Sequence, residues 1–426
     1  MKSIVIHFMF LSTILTNAQS KFDKYFTGER LRFDYMIAGN FKECNIYTYQ
    51  FYKEPYWGGS EINLIDTFMY GEMLIEIYDS ISDELIYSRG YSTLFKEWQT
   101  VGESRLTQRA FLESVVVPFP AKAVKIVIYD RKHNLQFRLV YTTFFNPDSR
   151  DIICLKQPLN AELKQPVLNG DPSVKLDLVI VAEGYTTDEK EKFFEDAGWI
   201  AEIIFEWQPY NDFKSEINVY SLFIPSDESG TDLPQDSLWL NTAFNTTFNT
   251  FGSERYLTSK EMSLIRDAVS DVPYDQICIM VNSEKYGGGG VYNYFTVFSS
   301  SNEYSEFLFH HELGHAFAGL ADEYYTSEVE FDTMFSLKYE PYQPNITTLI
   351  DFKSKWESMV HDSVPIPTPD TSYWQNVLGV FEGAGYSEKG VYRPTFNCSM
   401  KSVVNDSFCP VCRKAIGDMI RFYTRK

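Results

Sequence analysis

The chain carries His311, Glu312, Leu313, Gly314 and His315 in succession, followed seven and eight residues after His315 by Asp322 and Glu323. Successive residues of an α-helix turn by about 100° and rise about 1.5 Å, so His311 and His315 lie one turn apart on the same face. This constrains the fold more than any other feature, because the helix must sit where both imidazoles can grip one metal ion. Glu312, beside the first histidine, can reach a water on that metal without ligating it, which is what a metal-dependent hydrolase needs. Phe307, Leu308, Phe309, Leu313, Ala316, Phe317 and Leu320 surround these groups with apolar surface, so the helix is expected to pack inside a domain. The pattern points to a metallopeptidase.

Two histidines do not hold a catalytic zinc; three protein ligands and a water are usual. His310 points about 100° away from His311 on a helix. Asp322 is the stronger third ligand, because Gly319 can end the helix and let the chain swing back. Glu323 comes next, and a ligand from farther along, His361 included, stays open.

At 426 residues two domains are expected, and the abundant aromatics favour a strand-rich, tightly packed protein. Asp plus Glu outnumber Lys plus Arg by 58 to 38, which argues against a nucleic-acid partner. The basic start Met1-Lys2, the apolar run Ile4 to Leu15 and the small, polar exit Thr16 to Ser20 have the form of a secretory signal peptide, residues 1–19. A secreted or periplasmic protein is expected, and no later apolar run is long enough for a stable membrane span. Of the six cysteines, Cys398, Cys409 and Cys412 are close enough in sequence for one local disulfide, whose connectivity spacing cannot decide. The pair Cys409 and Cys412 is set aside as a zinc knuckle, since no second CxxC completes four ligands, and as a redox motif, since no βαβ start precedes it. Cys278 reads as a buried thiol.

The expected architecture is α+β overall, with an all-β sandwich over residues 20–150 followed by an α/β catalytic domain over 174–426. Short aromatic and β-branched runs such as 31–35, 73–78, 115–117 and 124–129 carry the first part. Residues 151–173, with three prolines, read as a linker. Beyond them a buried strand at 176–182 precedes a helix capped by Thr186 and Glu189. Strands at 217–224 and 275–281 follow, with a second capped helix from Thr258 and Glu261 between them. Gly287 to Gly290 suit either a flexible loop or an edge strand with which an extended peptide pairs. The acidic run Ser226 to Asp232 reads as a solvated turn, because it lacks full calcium-ligand spacing. His133 reads as an ordinary surface or core histidine.

Residues 311–322 resemble the extended zinc signature of metzincin-type peptidases, and Cys398-Ser399-Met400 resembles their Met-turn. Asp177 to Thr186, Ser226 to Asp232, Gly379 to Tyr386 and Tyr392-Arg393-Pro394-Thr395, together with Cys398, Met400, Cys409 and Cys412, are similar to the immunoglobulin-A-cleaving metallo-endopeptidase family, the sixty-fourth metallopeptidase family. Trp57 to Ser60, Leu64 to Thr67, Tyr87 to Gly90 and Glu97 to Thr100 look like the β-sandwich that precedes the peptidase in bacterial relatives. The resemblance implies a zincin-like domain with Met400 in the floor of the site. One departure stands out: ordinary metzincins place the third ligand six residues after the second histidine, where this chain has Ala321, and Asp322 lies seven after.

The expected chemistry is amide hydrolysis with one Zn2+ held by His311, His315 and Asp322, and Glu312 as general base. Tyr392 and Arg393 are candidates for oxyanion support, beside their plainer reading as a packed aromatic and a surface ion pair. The substrate would be a protein or glycoprotein. The competing reading is a secreted adhesin, or a glycan- or protein-binding protein, whose metal site is structural or inactive; a general base at Glu312 speaks against it.

Overall fold

The computed structural model describes residues 21–155, 160–325, 335–404 and 407–424, and the expected signal segment 1–19 lies outside them. The N-terminal region is β-rich. Its strands are β1 (Phe26–Gly39), β2 (Cys44–Glu54), β3 (Met73–Asp79), β4 (Leu85–Tyr91), β5 (Arg109–Pro120), β6 (Val124–Arg131), β7 (Phe137–Phe145) and β8 (Ile153–Cys154), with a short helix α1 (Leu94–Trp98) before β5. They form two four-stranded sheets, ordered β5-β1-β2-β8 and β4-β3-β6-β7. Phe33 of β1 stacks on Phe51 of β2 at 4.6 Å and on Tyr141 of β7 at 6.1 Å, so the facing side chains of the two sheets share one core.

β1 alternates with period two, as a strand must. Leu31, Phe33 and Tyr35 face that core, while Arg30, Arg32 and Asp34 are equally buried on the other side. There Arg30 pairs with Glu54 at 2.6 Å and donates to the Ser270 carbonyl at 3.2 Å, and Arg32 meets Asp267 at 2.7 Å. The buried charges therefore tie the N-terminal strands to the second half of the chain. One core cluster runs accordingly from Phe22 to Val297.

Glu113 belongs to the same boundary, accepting from the Phe95 amide at 3.1 Å and the Tyr294 hydroxyl at 2.6 Å. Burial pushes its carboxyl up to about 7, against the pull of those two bonds. Its folded value thus exceeds the ordinary 4.5, so the stability of the neutral form is complete below 4.5 and is lost as pH rises to about 7. Glu113→Gln keeps an acceptor oxygen and should abolish this loss, on the order of 3 kcal/mol, in urea unfolding compared at about pH 5 and about pH 7.5. An unchanged pH dependence would refute the assignment.

The second half is mixed α/β. Strands β9 (Glu162–Val167), β10 (Leu176–Glu183), β11 (Ile217–Phe223), β12 (Gln276–Val281), β13 (Gly288–Val291) and β14 (Phe295–Ser299) form a six-stranded sheet ordered β13-β14-β12-β10-β11-β9. β10, β11, β12 and β14 run parallel, and the edge strands β9 and β13 are antiparallel to their neighbours. Every residue of β10 is buried, as expected of a central strand covered on both faces. The Thr186–Glu189 capping box forms and leads into α2 (Lys190–Ile203). The second box does not. Thr258 bonds Thr250 instead, Ser259 caps the Glu261 amide, and α3 (Met262–Ala268) begins later without a side-chain cap on its own. Local hydrogen bonding by Thr and Ser competes here with the helix start.

Differing from an open linker, the described part of 151–173 is woven into both halves, with β8 parallel to β2 and β9 paired with β11; residues 156–159 lie outside the described set. Helix α4 (Ser305–Ala318) lies against β13 and β14, with Phe309 on Phe298 at 5.2 Å. A two-stranded hairpin, β15 (Phe381–Ala384) and β16 (Ser387–Arg393), and the C-terminal helix α5 (Pro410–Thr424) complete the chain, and α5 packs on α4.

Candidate metal centre

Helix α4 carries His311, Glu312 and His315, and ends at Gly319, whose φ of +62° is the left-handed conformation that glycine adopts without strain. The Gly319 amide bonds the His315 carbonyl at 3.1 Å and the Leu320 amide bonds that of Gly314 at 3.2 Å, so the chain reverses at once. The reversal brings Asp322 back under the helix. Its Oδ1 lies 3.2 Å from His311 Nε2 and 3.3 Å from His315 Nε2, and the two Nε2 atoms are 3.2 Å apart. A tetrahedral ion with ligands at about 2.0–2.1 Å separates them by roughly 3.3–3.4 Å, so the donor set fits one zinc-sized cation.

Each imidazole is oriented from behind. His311 Nδ1 bonds the Ser399 carbonyl at 3.0 Å, and His315 Nδ1 bonds the Leu320 carbonyl at 2.7 Å. Both bonds place a proton on Nδ1 and leave Nε2 as a lone-pair donor. Asp322 is held by the Tyr386 hydroxyl on Oδ2, while its buried Oδ1 has no hydrogen-bond donor. Burial works to protonate Asp322, but His315 and His311 overcome it and hold the carboxyl well below the usual range. In turn, burial disfavours charge on His315, and Asp322 outweighs it, lifting that imidazole to about 9. A field that retains a proton at this point also favours a divalent cation.

The other carboxylate points elsewhere. Glu323 bonds Asn345 Nδ2 at 3.0 Å and Cys412 Sγ at 3.3 Å, on the side away from the histidines. His361 is exposed and bonds Ser363, and His310 stacks on Trp207 at 4.1 Å, with burial pushing it down to about 4. His133 lies on Phe41. Only Asp322 joins His311 and His315 among the described residues.

Glu312 sits beside this cluster, and burial raises its carboxyl above the ordinary value against the pull of both histidines. Strand β13 passes directly over it. A Cβ on Gly288 would lie 2.8 Å from Glu312 Cγ, and one on Gly290 would overlap the Glu312 carbonyl oxygen. The glycines are therefore neither a loose loop nor a fully open edge. They let a strand lie against the helix, and the outer side of Gly288 is already bonded to Arg255 and Leu257.

Beneath α4 the chain makes a tight turn at Cys398–Lys401, closed by the Lys401 amide on the Cys398 carbonyl at 2.9 Å. Fully buried Met400 reaches Gly314, where an added Cβ would meet its Sδ at 3.1 Å. Tyr392 and Arg393 stand apart from the histidines. Tyr392 pairs with Thr347, and the buried Arg393 guanidinium donates to the carbonyls of Glu382 and Gly383, so Arg393 is not a surface ion pair. The Ser226–Asp232 run is tied to residues 240–241, with Asp232 accepting from the Leu240 amide and Glu228 from that of Asn241.

A cavity of about 500 Å³ opens over Glu312 and the histidines. Sequence reasoning missed several of its walls. Tyr324 and Tyr386 touch at 3.3 Å, and Arg255 donates to the Tyr324 hydroxyl at 3.0 Å. Glu97, from the N-terminal region, accepts from Tyr256, and burial pushes its carboxyl up to about 7. Glu72 and Ser92 line the same space. Residue spacing gives these side chains no shared signal, and Glu72, Ser92 and Glu97 join the others only when both halves are folded together.

Residues 166–377 and 370–420 match the family described as IgA Peptidase M64, and residues 21–142 match the one described as Peptidase M64 N-terminus. No curated protein matches the chain.

Proposed function

The chain belongs to the IgA peptidase M64 family, and from that premise we propose that it is an exported, zinc-dependent endopeptidase of metzincin type acting on extracellular proteins or glycoproteins. The observation that carries this is the convergence of two imidazole Nε2 atoms and one carboxylate oxygen at 3.2–3.3 Å, with Glu312 beside them at the floor of the cavity. His311, His315 and Asp322 would hold the ion. When bound, it supplies a lowered pKa for a water and polarisation of the scissile carbonyl.

The residues do the rest. Glu312, held above its ordinary pKa by burial, takes the proton of the attacking water and passes it to the leaving amine. Tyr386 orients Asp322, and Tyr324, whose hydroxyl accepts from Arg255, presents that hydroxyl to the cavity where the carbonyl oxygen gathers charge. Both halves of the chain wall the cavity, so the N-terminal region shapes what enters it. Export rests on the basic and apolar start, Met1 to Leu15. No helix among the described residues is long and apolar enough to cross a membrane.

The test is hydrolysis of casein and mucin by the purified full chain, abolished by a chelator and restored by stoichiometric zinc; hydrolysis untouched by chelation would overturn the reading. Tyr386→Phe should weaken zinc binding roughly 10–100-fold in competition with a chromophoric chelator, since the partner that fixes a ligand is lost. Unchanged affinity would remove Tyr386 from that role.

A further inference from the structure

Glu323 converges with three cysteines on the far side of the Met400 turn, where sequence spacing groups the cysteines alone and offers no fourth ligand. One ligand atom from each of Glu323, Cys398, Cys409 and Cys412 lies within 4.8 Å of every other. Cys398 Sγ and Cys412 Sγ are 3.9 Å apart, far beyond a disulfide bond of about 2.05 Å. Tetrahedral zinc with Zn–S of about 2.3 Å spaces its sulfurs by roughly 3.8 Å and a sulfur from an oxygen by roughly 3.5 Å. The Glu323 Oε1 distances, 3.3 Å to Cys412 Sγ and 4.0 Å to Cys409 Sγ, bracket that value.

The surroundings suit a closed metal site. All four side chains are buried, with Glu323 at 0% and Cys409, the most accessible, at 5%. Glu323 Oε2 has no hydrogen-bond partner, although a carboxylate buried this deeply requires one or a cation. Backbone amides aim at sulfur, that of Cys409 at Cys398 Sγ (3.3 Å) and that of Cys412 at Cys409 Sγ (3.5 Å). Such donors stabilise thiolates, as does the start of α5, where Cys409 and Cys412 sit. The buried Arg393 guanidinium adds a compensating positive charge toward Glu323.

We propose that Glu323, Cys398, Cys409 and Cys412 bind a second zinc ion, structural in role and separate from the one at His311, His315 and Asp322. Four protein ligands with no solvent access leave no open position for a substrate or water. The ion joins the residue after Asp322 to two segments some 75 residues or more farther along, the turn that carries Ser399 and Met400 and the start of the C-terminal helix. Ser399 is the carbonyl behind His311, and the Glu323 amide bonds the Met400 carbonyl at 2.7 Å. The second ion thereby sets the position of groups that orient the first.

The full chain carrying His311→Ala and His315→Ala removes the first site and isolates the second, so the result does not depend on the peptidase reading. This variant should retain one equivalent of zinc after dialysis, by elemental analysis. Loaded with cobalt, it should develop strong near-ultraviolet sulfur-to-cobalt charge-transfer absorption, and a mercurial thiol reagent should release the metal. Adding Cys412→Ser should remove that absorption. A double-histidine variant that is folded by circular dichroism, yet holds no metal and binds no added zinc or cobalt, would overturn the proposal. So would mass analysis of the alkylated chain showing two of these cysteines joined as a disulfide.

Discussion

Glu312→Gln should retain zinc and fold while losing on the order of 10^4-fold in kcat, measured on a peptide with a single scissile bond. Glutamine fills the same space beneath Gly288, where an added Cβ would already lie 2.8 Å from Glu312 Cγ. It ligates nothing, since the three converging donor atoms belong to His311, His315 and Asp322. What it lacks is an acceptor for the proton of the attacking water. The carboxyl is suited to that task because burial lifts it above the ordinary carboxylate value while the two imidazoles pull it back. A Glu312→Gln chain within tenfold of the parent would take the base assignment away from this residue.

The second large effect concerns a residue with no reactive group. In Gly290→Ala the new Cβ would overlap the Glu312 carbonyl oxygen and approach His315 Cβ to 2.8 Å. Because the first obstacle is backbone, no rotamer change relieves it. Either β13 or α4 must shift, and a displacement of about 1 Å between catalytic groups costs roughly 100-fold in rate. Stability should also fall by about 1–3 kcal/mol, the usual cost of forcing extra volume into a packed contact. Activity assay and urea unfolding measure the two separately. Parent-like kcat would mean that strand and helix are less tightly coupled than their contact implies.

The legible part of this protein was the part whose signal is local. The helical repeat put His311 and His315 on one face, Gly319 marked the reversal, and Thr186 with Glu189 capped α2 because both partners lie within one turn. Strands 176–182, 217–224 and 275–281 announced themselves as short, mostly apolar runs, as strands of a sheet covered on both faces do. Thr258 and Glu261 misled, because the same local pattern was claimed by Thr250 and by Ser259. The glycine run was ambiguous for a related reason: its meaning is the helix lying under it, and nothing in four glycines names that helix.

Sequence alone therefore determined the chemistry at hand, through residue types and their turn-by-turn spacing: two imidazoles, a neighbouring base and a carboxylate beyond a glycine. Tertiary structure decided which carboxylate faces which ligand cluster. Asp322 and Glu323 are adjacent, and in an extended segment successive side chains point in opposite directions. One step along the chain thus separates the histidine cluster from the cysteine cluster, with Asp322 joining His311 and His315 and Glu323 joining Cys398, Cys409 and Cys412. Tertiary packing alone also brought Glu72 and Glu97 to the cavity wall, because contacts between residues hundreds of positions apart follow from the joint burial of two apolar surfaces and leave no trace in local spacing.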